Sequence, residues 1–480
     1  MIMSFYDKLL GILPEVKGPT QKRLSFKEKL KWTLIVLVAF FILGTITLWG
    51  LDPQFQSTFE QFAIILGSKM GTITSLGIGP IVTASIVLQL LNGSGILKFD
   101  TTTSEGRARF QGTQKMLALA FVLFEAMVYV FFGGFKPDAT LAAGSFFAME
   151  WVIIGQLVLG GIIIILLDDI VQKWGFGSGI SLFIVAGVSQ EIMIQSLSPL
   201  SAGGRWALGT PEVPIGKLFA FFIHLSRTQS TQAWLAGAAI LFTILVFVIS
   251  VYFQSMKVEI PLSFGRVRGY GMRWPLRFMY TSNMPVILVA ALFANFHVFG
   301  QMFEGWAVKS GGAILNFISV YIIGQVNTPQ AGHGILPWVS APNLIQNLLV
   351  GHYSFAQLKF ALGYMLLMML GAVVFSIFWV QTSGMDAHSQ AKQIMSSGLR
   401  IPGFRNDVRI LERILQRYIG PLTVMGGLAV GLLAAIADVS GALSRGTGIL
   451  LSVMIVYQLY EEIAKHHMMD MHPMMRKFME

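Results

Sequence analysis

The chain has 480 residues, of which 54% are hydrophobic and 12% are charged, and its formal net charge is +10. Soluble domains carry about 25% charged residues, so this composition excludes an ordinary soluble globular protein. The lack of cysteine excludes disulfide bonds and thiolate metal sites. Because the apolar residues fall in blocks of about 20, the length that spans a bilayer as a helix, we predict a polytopic membrane protein.

The hydropathy pattern predicts an all-α membrane protein with ten transmembrane helices. The predicted spans are 33–51, 71–91, 116–135, 147–167, 178–197, 232–254, 279–300, 358–380, 418–437 and 446–464. Residues 1–31 precede them as a charged, amphipathic segment that begins with a short helix on the membrane surface. No small-residue cleavage site follows the first apolar block, so we expect this block to remain as the first span.

The positions of lysine and arginine predict the orientation of the spans. With the N-terminus inside, the inner segments hold 26 of the 34 lysine and arginine residues, as the positive-inside rule requires. We therefore expect a multi-pass protein of the cell membrane with both termini in the cytoplasm. Five spans in each half give the halves opposite orientations, as in an inverted repeat. The predicted halves are residues 32–200 and 201–464, followed by a cytoplasmic tail over 465–480.

Two of the predicted inner loops are long and basic. They cover about 255–278 and 381–417. Their charge fits the general positive-inside bias together with attraction to anionic lipid. It equally fits a docking surface for a polyanionic partner such as ribosomal RNA, where each neutralised phosphate releases counterions. The residues alone leave both interpretations open.

Two predicted outer regions are too short to cross the membrane. The segment 53–68 places Phe55, Phe59 and Phe62 on one helical face. About 15 helical residues extend roughly 22 Å, which is less than the roughly 30 Å of the hydrocarbon core. We expect a short helix that lies at the outer interface or folds back into the protein. The region 301–357 has mixed polarity and receives no assignment.

The sequence contains no motif of a known enzyme site. A P-loop, an H-E-x-x-H pair and a G-x-S-x-G elbow are all missing from the sequence, so we predict a protein without catalytic activity or cofactor. A few acidic residues lie deep in spans or at span ends: Glu125, Glu150, Asp168, Asp169 and Asp438. They fit contacts between helices as well as an ion path, but acids and bases arranged as a proton relay are absent from the sequence.

Ten segments in order carry a family resemblance. They are LPEV (13–16), FKEKLKWT (26–33), LGIGPIVTASIVLQLL (76–91), FQGTQK (110–115), DDIVQKWGFGSGISLFIVAGVSQ (168–190), VEIPLSFGRVRG (258–269), YTSNMPVILVAALFAN (280–295), FWVQTSGMD (378–386), RYIGPLTVMGGLAVG (417–431) and RGTGILLSVMIVYQLYEE (445–462). Together they resemble the SecY family, in its archaeal and eukaryotic branch, over nearly the whole chain. The family also has ten spans with both ends inside.

The resemblance implies an hourglass pore between two pseudo-symmetric halves of five helices. It would translocate secretory polypeptides and release membrane-protein segments into lipid. The family's constriction is a ring of aliphatic side chains, which the motifs place at Ile78, Val82, Ile180, Ile184, Ile287 and Leu451. The family's plug, a short helix on the outer side of the ring, corresponds to the segment 53–68, with Phe55, Phe59, Phe62, Ile65 and Leu66.

The resemblance also implies a lateral gate and a set of partners. The gate opens between spans 2–3 and 7–8, and the match places Thr83, Glu125 and Asn283 near this seam. The two basic loops correspond to the family's ribosome-docking loops, which here carry Arg266, Arg268, Arg400 and Arg405. The expected partners are a single-span clamp subunit of the SecE (gamma) type, a small beta subunit, the ribosome, signal sequences and nascent polypeptides, membrane lipid, and a further copy of this chain in a homo-oligomer.

Two other functions are consistent with a helical membrane protein. A secondary transporter would need convergent polar groups on broken helices at the midplane. An insertase or scaffold without a through-pore would handle membrane proteins alone. Saturable uptake of solute by the chain by itself would favour the first, and failure of secreted substrates to cross would favour the second.

Overall fold

The structure is a computed structural model of the chain. It describes residues 15–20, 24–52, 71–93, 96–97, 99, 104–131, 135–138, 143–201, 203–264, 271–281, 284–310, 317–324, 334–342, 344–351, 354–396, 399–400, 407–444 and 446–471.

The described residues form a helical bundle with one small sheet. The helices of the N-terminal half are α1 (Phe26–Leu43), α2 (Gly79–Gly93), α3 (Ser104–Phe131), α4 (Ala143–Trp174) and α5 (Gly179–Leu197). The helices of the C-terminal half are α6 (Lys217–Ser226), α7 (Ser230–Ser255), α8 (Met284–Ser310), α9 (Leu336–Val339), α10 (Leu344–Val350), α11 (Phe355–Thr382), α12 (Ala387–Ser396), α13 (Val408–Val439) and α14 (Gly446–Met471). The strands are β1 (Lys257–Phe264), β2 (Gly271–Arg277) and β3 (Leu399–Arg400).

Each of the ten predicted spans overlaps one of these helices. Within the described part of the chain, seven helices are long and apolar enough to cross a membrane. Helix α2 and the first part of α8 are apolar but shorter. Helix α1 carries four charged residues in its first turns before its apolar stretch begins. The predicted spans are therefore present, although several of their ends differ.

The first span starts earlier than predicted. Helix α1 begins at Phe26 because Ser25 and Glu28 form a capping box: the Ser25 hydroxyl accepts from the Glu28 amide and the Glu28 carboxylate accepts from the Ser25 amide, both at 3.4 Å. The helix ends before Gly44, and Thr47 then pairs with Thr72 in an isolated bridge. The predicted boundary at residue 31 consequently falls inside a helix.

The second span starts later than predicted. Residues 71–78 form turns, with Gly77 in the left-handed region at φ 55°, and α2 begins at Gly79. Pro80 therefore lies in the first helical turn, where the missing N–H group costs nothing. At the other end of the chain α14 continues to Met471, past the predicted end at 464.

The two long basic loops join in one antiparallel sheet with the order β2-β1-β3. The first loop is a hairpin of β1 and β2. The second loop contributes α12 and β3, and Ser263 in β1 pairs with Arg400 in β3. Ile260, Leu276, Ile394 and Leu415 are buried in the apolar cluster that this sheet forms with α12 and α13.

Two large apolar clusters form the core of the bundle. The first draws its buried residues from the N-terminal half alone, between Val36 and Ala186. The second combines α8, α11, α13 and α14 of the C-terminal half with side chains of α2 and α5. Helices α2 and α5 therefore join the N-terminal half to this second cluster.

Candidate pore and lateral gate

The six residues expected to form the pore ring come together in the second cluster. Val82, Ile287 and Leu451 are buried members of it. Ile78, Ile180 and Ile184 are partly buried and pack against it. Four separate segments of both halves, the start of α2 and helices α5, α8 and α14, thus bring aliphatic side chains to one place.

The local sequence of α2 explains how its two members are presented. The Ile78 carbonyl accepts the first helical hydrogen bond from the Val82 amide at 3.1 Å, so Ile78 is the residue that caps the helix. One residue earlier, Gly77 supplies the positive φ that turns the chain into the helix. Ile78 also packs against the cluster of the N-terminal half, so it lies where both clusters meet.

A chain of polar contacts crosses from the N-terminal to the C-terminal half beside this cluster. The Thr83 hydroxyl in α2 lies 3.3 Å from the Glu125 carboxylate in α3, to which it donates. The Asn295 amide in α8 donates to the same hydroxyl at 3.2 Å. Thr83 and Glu125 are thus at the predicted seam and in contact with each other.

Asn295 also contacts this seam and was not among the predicted gate residues. The predicted gate residue Asn283 lies outside the described residues. Both asparagines stand in the segment 280–295 that carries the family resemblance, and the signal that could have found Asn295 is an amide side chain within an apolar span.

Other predicted site residues lie outside the described part of the chain. These are the plug residues Phe55, Phe59, Phe62, Ile65 and Leu66, and the docking residues Arg266, Arg268 and Arg405. The fourth docking residue, Arg400, lies in β3.

Exposed basic residues surround the sheet that joins the two loops. Lys257 in β1 is exposed, and so are Arg409, Arg413 and Arg417 at the start of α13. Near the sheet, the Tyr280 hydroxyl donates to the Met385 carbonyl at 2.7 Å and ties the end of the first loop to the start of the second.

The buried acids noted in the sequence hold structure together. Asp169 pairs with Lys115 of α3 at 2.6 Å. Asp168 and Asp438 accept hydrogen bonds from the first turns of the helices that follow them. Among the described residues, no group of three or more His, Cys, Asp or Glu side chains is placed to hold a metal ion.

Comparison with known proteins decides the family. The SecY family model matches residues 72–460. The chain belongs to the SecY family. A protein translocase subunit SecY from Methanothermobacter thermautotrophicus is 43% identical over 479 residues, which cover 99% of this chain and 98% of that protein.

Solved structures of the SecY family match the fold as well. One is a SecY whose plug domain is described as stabilising the closed state of the translocation channel and maintaining a membrane seal. It has a TM-score of 0.76 and 39% identity, and the match covers 97% of this chain and 98% of that one. Sec61 in the canine ribosome-channel complex has a TM-score of 0.73 and 39% identity, with the same coverage. The ten-helix architecture expected from the sequence is that of this family.

Proposed function

We propose that this chain forms the central pore of a protein-conducting channel, which carries secretory polypeptides across the membrane and releases membrane-protein segments sideways into lipid. The observation that carries the proposal is the meeting of six aliphatic side chains from both halves in one apolar cluster. Similarity over almost the full length to proteins named as translocase subunits agrees with it. The chain moves polypeptides and makes or breaks no covalent bond in them.

The aliphatic character of the six residues suits this function. A translocating chain presents every kind of side chain in turn, so a constriction that hydrogen-bonded to it would hold some sequences and repel others. Ile, Val and Leu offer only dispersion contacts, which are individually weak. A narrow apolar neck also loses its water easily and then blocks ions. In the resting channel the six residues would encircle one axis and seal it.

The chain connection around residues 53–70 supports a plug in this segment. The described residues on its two sides are held together, because the Leu48 amide donates to the Gly71 carbonyl at 2.8 Å and Thr47 pairs with Thr72. Before the segment, the Asp52 amide donates to the Lys136 carbonyl at 3.1 Å, and after it the described chain resumes at Gly71, seven residues before Ile78. We propose that the segment closes the outer side of the ring and moves away when a polypeptide passes.

The gate, the docking surface and the orientation are further parts of the proposal. We propose that the lateral gate is lined by Thr83, Glu125, Asn295 and Asn283. We also propose that the sheet-forming loops face the cytoplasm and dock on the ribosome, and that both termini are cytoplasmic. Helix α1 exposes Leu34, Val38 and Ile42. This apolar face suits a single-span clamp subunit of the SecE type, and a small beta subunit completes the complex.

Polar substitution of the ring tests the pore. Ile78→Asn and Ile180→Asn should make the resting channel leak ions and accept weaker signal sequences, because a hydrogen-bonding group keeps water in the neck. Conductance is measured in planar bilayers, and signal selectivity with a graded series of secretory substrates. Ile180→Leu, which keeps the aliphatic surface, and Leu159→Asn, an exposed position on α4, are the controls. Unchanged conductance and selectivity in both Asn variants would refute the ring.

Charge reversal of the loops tests the docking surface. Arg268→Glu and Arg405→Glu together should weaken ribosome binding, and the plot of log affinity against log salt should become shallower by about two, roughly one per lost phosphate contact. The matched control is Arg205→Glu, an exposed residue of the connection between α5 and α6. If the double variant binds the ribosome with wild-type affinity and salt dependence, the ribosome does not dock on these loops.

A further inference from the structure

Two aspartates hold the first turns of two pore helices in the same way. The Asp168 Oδ1 atom in α4 accepts from the Ile180 amide in α5 at 3.1 Å. The Asp438 Oδ1 atom in α13 accepts from the Thr447 amide at 2.9 Å and from the Thr447 hydroxyl at 3.1 Å, in the first turn of α14. In both cases a carboxylate near the end of one span caps the span that follows it.

The second oxygen of each carboxylate is also held. Gln172 of α4 donates to Asp168 Oδ2 at 2.8 Å, and the Tyr364 hydroxyl of α11 donates to Asp438 Oδ2 at 2.6 Å. Two fixed oxygens leave a carboxylate no freedom to rotate. The amide it binds, and with it the helix, is therefore fixed relative to the preceding span.

A glycine at each helix start permits this approach. A Cβ atom at position 179 would lie 2.6 Å from the Asp168 Cα atom, and one at position 446 would lie 2.1 Å from the Ala437 carbonyl carbon. Both distances are far inside van der Waals contact. The backbone of each capped helix thus rests directly on the span that carries its aspartate.

The two arrangements occupy equivalent places in the two halves. Helices α4 and α5 are the fourth and fifth spans of the N-terminal half, and α13 and α14 are the fourth and fifth of the C-terminal half. Because the predicted orientations of the two halves are opposite, we expect the two capped turns at opposite faces of the membrane. Each capped helix also carries ring residues: Ile180 is itself the donor in α5, and Leu451 follows Thr447 by four residues, about one turn, in α14.

The hydrogen bonds to the two aspartates are strong enough to fix the position of each helix start. The first N–H groups of a helix have no partner within it, and an anion there is stabilised by the helix dipole. Hydrogen bonds to a charged acceptor are about twice as strong as neutral ones. A carboxylate in an apolar bundle is costly unless it is bonded in this way, so each aspartate strongly favours one placement of the helix start.

We propose that Asp168 and Asp438 are a repeat-related pair of positioning residues, which fix the pore helices α5 and α14 from opposite membrane faces so that their aliphatic side chains meet in the seal. The proposal rests on the proposed function, since it concerns the same ring. A helix freed from its aspartate would slide or rotate against its neighbours, and a shift by one residue moves a side chain about 1.5 Å along the axis and 100° around it.

Leak and stability measured together test the proposal. Asp168→Ala and Asp438→Ala should each raise the ion leak of the resting, reconstituted complex about tenfold, which is the effect on an equilibrium of losing one hydrogen bond to a charged group. Asp168→Asn and Asp438→Asn keep an oxygen acceptor and should recover most of the seal. Gly179→Ala and Gly446→Ala, which push the helix away from its cap, should leak in the same way.

Asp169→Asn is the matched control. This residue is the buried neighbour of Asp168, yet it pairs with Lys115 and caps no helix. We expect it to lower the thermal unfolding temperature of the complex while the leak stays at the wild-type level. If the Asp168 and Asp438 variants lose stability as the control does and still seal, the aspartates are structural only and the proposal is wrong.

The ring variant Ile180→Asn separates the two proposals. If Ile180→Asn leaks and the aspartate variants do not, the positioning role fails and the pore stands. If Ile180→Asn also seals, the proposed pore itself fails. If Asp168→Ala or Asp438→Ala does not assemble, the Asn and glycine variants decide, because each alters the cap less.

Discussion

The two halves meet along two seams that differ in how they are tied. The gate seam lies where α2 packs against α8 and α11. The hinge seam lies where α5 and α1 pack against α14, on the side where the chain itself connects the halves. Between described residues, the hydrogen bond from Asn295 to Thr83 crosses the gate seam.

The hinge seam has polar ties at both ends. At one end the Ser444 hydroxyl donates to the Glu191 carboxylate at 2.9 Å. At the other end the Gly177 amide donates to Glu462 at 3.4 Å, and Lys29 lies 3.1 Å from His466 Nε2. The connection after α5 is also pinned, since the Gly216 amide donates to the Ser198 carbonyl at 3.0 Å.

The difference in polar ties predicts which of the two seams opens more easily. Apolar packing borders both seams, and in lipid an apolar face separated from its partner finds lipid tails of the same character. The polar ties, worth about 1 kcal/mol each, therefore determine which seam costs less free energy to separate. A seam with one tie between described residues parts at lower cost than a seam tied at both ends and joined by the chain.

Locking each seam should produce the largest contrast. Because the chain has no cysteine, the pair Thr83→Cys with Asn295→Cys can be bridged selectively by a short bis-thiol reagent, as can the pair Glu191→Cys with Ser444→Cys. Bridging the gate seam should stop translocation and lateral release almost completely. Bridging the hinge seam should leave both near wild type. The measurement is transport into proteoliposomes before and after bridging.

The corresponding single-cysteine variants control for modification by the reagent. Equal loss of transport in both bridged pairs would show that the two seams open together. The gate seam would then not open more easily than the hinge seam.

Removing the polar link of the gate seam should have a moderate effect. In the double variant Thr83→Val with Asn295→Leu, the closed state loses its hydrogen bond and the opened seam exposes less polar surface to lipid. A change of about 1 kcal/mol shifts the balance between closed and open about fivefold. Test segments of graded leucine content should therefore enter the membrane at a lower hydrophobicity.

Ser444→Ala, which removes a tie of the hinge seam, is the matched control and should leave this threshold unchanged. A threshold that moves equally in the control, or not at all in the gate variant, would contradict a specific role for Thr83 and Asn295.

Acidification should give the smallest effect, at the end of the hinge seam near Gly177. There the Lys173 ammonium donates to the Val16 carbonyl at 2.6 Å and also pairs with the Glu15 carboxylate. The hydrogen bond from Lys173 to Glu15 holds the pKa of Glu15 below its ordinary value. The contribution of the contact is complete above about pH 5, near the unfolded pKa, and is lost as the pH falls through the lowered pKa. Protection of the Trp174 indole, which donates to the Lys17 carbonyl, should therefore decrease in acid.

Hydrogen exchange of the indole between pH 3 and pH 6 is the measurement, and Glu15→Gln should abolish the pH dependence. Because Glu15 is largely exposed, we expect a small change in exchange and none in transport. An unchanged profile in the Gln variant would mean that another group titrates.

The site was predictable in part, and particular residues show why. The ring positions were selected by the family motifs, since aliphatic pairs spaced like Ile78 and Val82 occur throughout membrane helices. Asn295 was not among the predicted gate residues, although it stands in the segment 280–295 that carries the family resemblance. Only the packing of α8 against α2 shows that Asn295 contacts Thr83. The pairing of Ser263 with Arg400 was missed for the same reason, because a two-residue strand has no pattern of its own.

The amino-acid sequence by itself determined the number of spans, their rough positions and their expected orientation. It does so because the cost of a polar or charged group in lipid is local and can be summed along the chain. The tertiary structure alone decided which apolar side chains meet, which helix starts Asp168 and Asp438 cap, and which seam carries more polar ties between described residues. Apolar surfaces are interchangeable in lipid, so hydropathy marks a helix as buried in the membrane without specifying its neighbours.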